Sequence, residues 1–259
     1  MKRTKNRPVN IFANFIGMKR GFLILILLVA GIALFSCKKK KEAEKPDIGE
    51  AYYPATVGKY VIYAVDSTVY DELNYKPKYS KYQIKEKIEE EYTDSQGRPA
   101  LKLVRYIKKF DSIIPYSAMP WIIKDVWQVN ITKKNVEVVE ENIRFVKLIF
   151  PIKDNSTWNG NSTNTMGEWQ YKYTYTGNKE TINNILFENV ALVTQKDFPT
   201  LISRDYYVEK YAKEVGLVYR EIIHITFKDT VVPLPYPLTG VFKKYGVVYK
   251  SQVISYGTE

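Results

Sequence analysis

The stretch EWQYKYTYT, Glu168 to Thr176, alternates without a break. Trp169, Tyr171, Tyr173 and Tyr175 fall on one side, and Glu168, Gln170, Lys172 and Thr174 on the other. A period of two belongs to a strand, because successive side chains of a strand point to opposite faces of a sheet. The ring face has two readings. It is a core face, or it is a platform for a sugar, peptide or lipid, since Trp and Tyr join an apolar ring to a polar tip.

The same period runs outward in both directions. Upstream, Asp154 to Thr165 (DNSTWNGNSTNT) is a polar loop of turn formers. Before it, Arg144 to Phe150 is an apolar strand stopped by Pro151. Val126 to Thr132 and Val136 to Val139 flank Lys133-Lys134-Asn135 as a hairpin. Lys81 to Tyr92 carries Tyr82, Ile84, Ile88 and Tyr92 on one face, with Glu86 and Glu90 intruding there; Lys81, Gln83, Lys85, Lys87, Glu89 and Glu91 occupy the other. Asp94-Ser95-Gln96-Gly97 turns that strand into Leu101 to Ile107. Gly58 to Val69 is rich in β-branched and aromatic residues. Downstream, Asn189 to Thr194, Tyr206 to Tyr211, Leu217 to Phe227 and Val247 to Tyr256 read as further strands. No window of about 12 residues has the i, i+3, i+4 spacing of a capped helix. The pattern predicts an all-β chain: a single antiparallel β domain over residues 51–259, as a curved sheet, half-barrel or sandwich. One faint echo links Tyr53-Pro54, Val57-Gly58 and Tyr60 to Phe150-Pro151, Asp154-Asn155 and Trp158, and reads as a shared turn type rather than a duplication.

Catalytic motifs are missing. There is no G-x-S-x-G, P-loop, Gly-rich dinucleotide turn, H-E-x-x-H or EF-hand spacing. The single histidine, His224, is a general base or a strand residue with a local hydrogen bond, and no nucleophile motif accompanies it. One His and one Cys exclude a histidine-based zinc site. Glu89-Glu90-Glu91 and Glu140-Glu141 are the acids a glycosidase would draw on. Neighbouring strand residues point to opposite faces, so both runs read as solvated turn-edge acids. Asp154 is the one acid in its polar loop, which is too few for calcium. No catalytic residue, cofactor site or metal site is expected.

The charge of +11 sits mostly outside the β region. Residues 1–36 hold six basic residues and no acid, which leaves +5 for the rest, and Lys38 to Lys41 supply four of those. A nucleic-acid binder carries its basic excess on the folded face, so nucleic acid is not an expected partner. A lone cysteine forms no internal disulfide.

That cysteine ends a leader. Met18-Lys19-Arg20 is a basic start, and Phe22 to Phe35 is uncharged over 14 residues. This is a signal's apolar core and falls short of the ~20 residues that span a bilayer. Leu34-Phe35-Ser36-Cys37 then resembles the lipobox of bacterial lipoproteins, with Phe35 where a small residue is usual. The resemblance implies cleavage between Ser36 and Cys37 and a diacylglyceryl group on the Cys37 thiol. Acyl chains contribute ~0.8 kcal/mol per buried CH2, so two or more hold a domain on a membrane. Residues 1–36 are thus expected to be the signal, with Met18 a second candidate start. Residues 37–50 are expected to be the lipidated cysteine and a solvated charged linker, KKKKEAEKPDIGE.

Tyr52 to Asp71 (YYPATVGKYVIYAVDSTVYD) resembles the opening of small lipoproteins of the Bacteroidota type, which share a pattern close to Y-P-x-x-V-G-x-[WY]-x-Y. Phe150 to Asn161 (FPIKDNSTWNGN) and Tyr211 to Glu221 (YAKEVGLVYRE) resemble later signatures of that group. Departures are Tyr60, where Trp is frequent, and Asp154-Asn155, where Val-Gly is common. The resemblance implies an envelope lipoprotein, and with no catalytic motif found its β domain is expected to bind or maintain something without enzyme activity. The alternatives are a carboxylate enzyme acting on envelope glycans and an adhesion or assembly subunit. Its expected partners are membrane lipid through Cys37 and an envelope ligand or protein. Lys38 stands where Asp would signal inner-membrane retention in some bacteria, so an outer-membrane anchor is implied, facing the periplasm or the cell surface. The basic-then-acidic run Lys38 to Glu44 loosely resembles a surface-export signal.

Cys37→Ser is expected to abolish incorporation of a clickable fatty acid and to leave an uncleaved precursor on a gel. Label retained by the serine variant would refute the anchor.

Overall fold

Each alternating run becomes a strand of one antiparallel sheet. The computed structural model describes residues 46–228 and 242–259. The leader, Ser36, Cys37 and most of the linker lie outside them. The strands are β1 (Lys59–Tyr70), β2 (Pro77–Thr93), β3 (Pro99–Lys109), β4 (Ile122–Ile131), β5 (Asn135–Glu140), β6 (Ile143–Ile149), β7 (Thr157–Asn159), β8 (Gln170–Ile182), β9 (Ile185–Pro199), β10 (Ser203–Ala212), β11 (Gly216–Phe227) and β12 (Lys244–Thr258). Short β7 arises inside the stretch expected to be a polar loop.

Consecutive strands pair, so β1 to β6 and β7 to β12 form two six-stranded meanders. The pairing of β1 with β12 joins them. The resulting 12-stranded sheet is nearly closed into a barrel, and its free edges are β6 and β7. Of the architectures left open by the sequence, this is the barrel-like one.

Unpaired edges invite aggregation, and here they face each other across a seam. Val146 N–H donates to Gly160 O at 2.9 Å, and Trp158 Nε1 donates to Val146 O at 2.8 Å. Tyr173 Oη accepts from Ile149 N–H at 2.9 Å and donates to Ile149 O at 2.8 Å. Asn164 Nδ2 and Thr163 Oγ1 both donate to Arg144 O. Side chains of the polar loop and of β8 thus do much of the work a backbone ladder would do. Gly160 must lack a side chain, since a Cβ there would lie 2.4 Å from the Tyr171 ring.

Two apolar clusters fill the barrel. One gathers Leu101, Leu103, Trp127, Val129, Val136, Leu148, Tyr171, Tyr173 and Tyr211. The other gathers Val61, Tyr63, Val65, Ile84, Phe187, Val190, Val218 and Val253. The folded unit starts at Asp47, four residues earlier than the linker boundary read from sequence. Asp47 pairs with Lys213 at 2.6 Å, Ile48 O accepts from Ile152 N–H, and Tyr52 is buried. All the strands and both clusters lie within Asp47–Glu259, so this unit carries its own core. The echoed turns have in common a positive φ, 88° at Gly58 and 63° at Asn155, but Phe150-Pro151 is a cis peptide and Tyr53-Pro54 is trans.

Bulges correct two parity readings. In β2, Ile88 pairs with Leu103 and Glu90 with Lys102, so Glu89 is an extra residue. The slip takes Glu90 off the apolar face and sets it beside Lys102 at 3.5 Å. Lys85, on the expected polar face, is nonetheless buried, because Glu259 at the chain end reaches it at 2.6 Å. In β8, Tyr173 pairs with Val193 and Tyr175 with Leu192, so Thr174 is extra. Tyr171 and Tyr173 therefore join the first cluster, while Tyr175 packs against the second.

Tyr173 is 0% exposed. Tyr173→Ala is expected to cost about 3–5 kcal/mol, as aromatic truncations in cores do, and to loosen the seam at Ile149. Lys172→Ala is expected to stay within ~0.5 kcal/mol. Urea midpoints of the two variants check this, and equal small shifts would contradict a core role for the rings.

Candidate functional site

Chemistry concentrates inside the barrel. Lys147 lies in β6, Glu140 in β5, Glu209 in β10 and Arg220 in β11. Lys147 is the unpaired residue of a bulge, since Val136 pairs with Leu148 and Glu137 with Val146. Its Nζ sits 2.8 Å from Glu140 Oε1 and 3.0 Å from Glu209 Oε1. Arg220 Nη2 sits 3.1 Å from Glu140 Oε1 and 2.8 Å from Glu209 Oε1. Each cation touches both anions, so four charges form a closed, neutral ring that joins β5 and β6 to β10 and β11. Glu209 is 1% exposed, and its second oxygen accepts from Tyr211 Oη at 2.6 Å.

A second group continues the network. Arg105 bonds Glu86 at 2.9 Å and Asp125 at 2.8 Å. Its guanidinium lies 3.8 Å from the centre of the Trp127 ring, and Arg220 approaches the same ring at 5.8 Å. Tyr63 Oη donates to Leu217 O and to Glu86.

The sign of each perturbation follows from the ring. Burial pushes the Glu209 carboxyl up, but Lys147 and Arg220 outweigh it and hold the group down to about 2. Glu140 is lowered by the same balance, with burial opposed by Arg220 and Lys147. Burial would lower Lys147, and Glu140 and Glu209 reverse this and raise it. A glycosidase acid must keep its proton near neutral pH, which needs a raised carboxyl pKa. Glu140 and Glu209 are displaced the other way and act as fixed anions. This corrects the reading of Glu140 as a solvated turn-edge acid: β5 turns it inward, onto Lys147.

The four expected binding rings do not form one exposed face. Tyr171 and Tyr173 are core, and Tyr175 donates to Glu180 among a different set of residues. Trp169 is half-buried and stacks edge-on with Tyr207 at 5.3 Å. His224 Nδ1 lies 2.6 Å from Asp205, which also pairs with Lys196 at 2.6 Å. Burial pushes Asp205 up, and Lys196 and His224 outweigh it, so its carboxyl is lowered. This is the local hydrogen bond foreseen for a strand histidine. The polar loop's oxygens are taken up within the protein: Asn159 Oδ1 accepts from Asn161 N–H and Trp169 N–H, and Asp154 accepts from the Thr176 side-chain hydroxyl in β8.

Two open depressions lie on the surface. One, about 590 Å³, is lined by Glu90, Tyr92, Lys102, Asp125, Gln128 and Glu141 among others. Here the structure brings together Glu90 and Glu141, from the two acid runs, although Lys102 pairs with Glu90, and Arg105 and Lys124 pair with Asp125. The other, about 730 Å³, lies beside the chain's entry and is lined by Glu50, Tyr53, Arg98, Asn130, Lys133 and Glu214 among others. A third space, between Tyr53, Tyr63, Glu86 and Leu103, holds only about 50 Å³, room for a water or two and not for an acyl chain.

The ionic ring escaped the sequence reading. Its residues sit in ordinary strand runs, RFVKLI, VEKYA and VYREI. The available signal was a lysine inside an apolar strand, since a charge in such a run is buried only with partners.

Breaking one member of a buried ion group leaves its partners uncompensated. Glu209→Gln is therefore expected to cost about 3–5 kcal/mol, and Lys147→Met with Glu209→Leu less than the sum of the two single changes. A carboxyl lowered on folding stabilises the fold above its unfolded pKa, about 4.3. That contribution fades as pH falls from there toward about 2. Thermal midpoints of the wild type should drop through this acid window, and the Glu209→Gln profile should be flatter. Identical slopes in the two profiles would overturn the account.

No protein-family model matches this chain, and no curated protein does. Among solved structures, one similar chain comes from Parabacteroides distasonis and is provisionally named a lipoprotein. The two share 9% identity and a TM-score of 0.29, over 80% of this chain and 98% of that one. A TM-score so low leaves the fold and role of this protein to be read from its own residues.

Proposed function

We propose that this chain is a lipid-anchored protein of the outer membrane whose β barrel binds a partner in the cell envelope without catalysing a reaction. The anchor rests on Leu34 to Cys37 and the lysine tether behind it. The mode of binding rests on one observation: the barrel interior is occupied by the ring of Lys147, Glu140, Glu209 and Arg220 and by the aromatic side chains packed around it. Those groups neutralise one another, so contact with a partner falls to the outer surface and to the ends of the barrel. A carrier of lipid inside the barrel would need an apolar cavity of several hundred Å³ along this axis.

Carboxylate chemistry on envelope glycans is the second reading, favoured by the depression that gathers Glu90, Asp125 and Glu141. Glycan hydrolysis lost in Glu90→Gln with Glu141→Gln would move it to the front.

Fractionation of expressing cells tests the proposal. The wild-type chain is expected in the outer-membrane fraction, and Cys37→Ser is expected to leave it. Protease added to intact cells then reports the facing side: cleavage places the barrel outside, protection places it in the periplasm. A wild-type chain recovered in the soluble fraction would overturn the anchored reading.

A further inference from the structure

The two ends of the barrel differ in their turns. At the end where the chain enters, the short hairpin turns are Ser95-Gln96-Gly97, Lys133-Lys134, Asn183-Asn184 and Lys213-Glu214, all polar, and the exposed large apolar residues near them are Val57 and Leu186, each about half exposed. At the opposite end three turns present branched aliphatic side chains to solvent. Leu73, between β1 and β2, is 90% exposed, and Ile113, between β3 and β4, is 89% exposed. Leu201 and Ile202, between β9 and β10, are also exposed, as is Ile122 at the start of β4. The remaining short turn there, Glu141-Asn142, is polar.

Each apolar turn is held by a polar side chain at its base. Asp71 Oδ1 accepts from Leu73 and Asn74 N–H, both at 2.9 Å. Asp111 Oδ1 accepts from Ile113 N–H at 2.7 Å and Ile114 N–H at 2.9 Å. Thr200 Oγ1 accepts from Ile202 N–H and Ser203 N–H. The aliphatic tips are thus fixed pointing outward. Singly exposed apolar residues are ordinary on a protein surface; here Leu73, Ile113, Ile122, Leu201 and Ile202 all stand at one end of the barrel.

Charge around these tips is lopsided. Lys76, Lys78, Lys109, Lys228 and Lys244 stand at this end, with Lys124 paired to Asp125; of the acids there, Asp71 and Asp111 are engaged with backbone N–H groups, and Glu72 and Glu141 are exposed. Separate aliphatic tips flanked by lysines match a bilayer interface, which takes apolar side chains at its acyl boundary and cations at its anionic head groups. A protein interface instead wants a flat patch of close shape fit.

We infer that this end of the barrel is a contact surface for an anionic lipid bilayer. The inference rests on the lipid-anchored reading for which membrane is met. From Cys37 to Asp47 the tether has ten steps, at most about 35 Å when extended. A 12-residue strand such as β1, tilted as in a barrel, rises about 30 Å. The tether's reach therefore matches the barrel's height, and the anchored chain can lay its apolar end on its own bilayer.

The test uses residues 38–259, which include the whole self-cored unit and lack Cys37, so it is independent of lipidation. Flotation with phosphatidylglycerol/phosphatidylcholine vesicles is compared with flotation on pure phosphatidylcholine. Binding is expected to be at least tenfold stronger to the anionic vesicles and to weaken with salt. Leu73→Ser with Ile113→Ser should reduce it about tenfold at an unchanged thermal midpoint, and Lys133→Ser at the polar end should leave it intact. Absence of vesicle binding, or equal binding by wild type and the double variant, would overturn the inference. So would a wild-type chain that ignores vesicles but self-associates in sedimentation through Leu73 and Ile113, which would make these turns a protein contact.

Discussion

Four charges enclosed by strands set the terms for the rest of this barrel. Isolated in a low-dielectric interior, any one of them would be prohibitive. Together Lys147, Arg220, Glu140 and Glu209 cancel, provided that β5, β6, β10 and β11 hold their registers. A slip of one residue would turn a charge toward solvent and leave its partners bare. Buried ion groups add little net stability compared with apolar packing, but they penalise wrong arrangements severely. The ring therefore penalises slips of register between two meanders whose strand-to-strand pairing, among the described residues, is that of β1 with β12.

The seam raises the complementary problem. A sheet with two edges exposes backbone donors and acceptors, and closure by a full ladder would require β6 and β7 to run alongside one another at length. With β7 only three residues long, side chains take over. Trp158, Tyr173, Thr163 and Asn164 reach the edge of β6 and satisfy its backbone groups. The aromatic strand, read in sequence as a core face or a binding platform, and the Asn-rich loop, read as a polar turn loop, are thereby engaged in closure.

Filling the interior leaves the outer surface and the ends of the barrel as the faces open to contact. What distinguishes one end of the barrel from the other is the chemistry of its turns. Polar side chains at their bases, Asp71, Asp111 and Thr200, fix the backbone and leave aliphatic residues exposed at the tips. Asp47, where the folded unit begins, lies at the polar end beside Lys213, so it and the apolar tips are separated by the length of the strands.

The all-β class and the place of each long strand were legible in the sequence, because a period of two is a local property of backbone geometry. So were the turns at Asp94-Gly97 and Lys133-Asn135. Parity was not legible past a bulge: nothing local marks Thr174 or Glu89 as the extra residue, yet each moves its successor to the other face. Nor was the ionic ring, whose members lie as far as 80 residues apart in the chain and meet only when the sheet curls. Tertiary structure alone decided which charges were buried, which rings became core and which end of the barrel turned apolar. Each of these depends on which strands face one another across the interior, a relation that no stretch of sequence carries by itself.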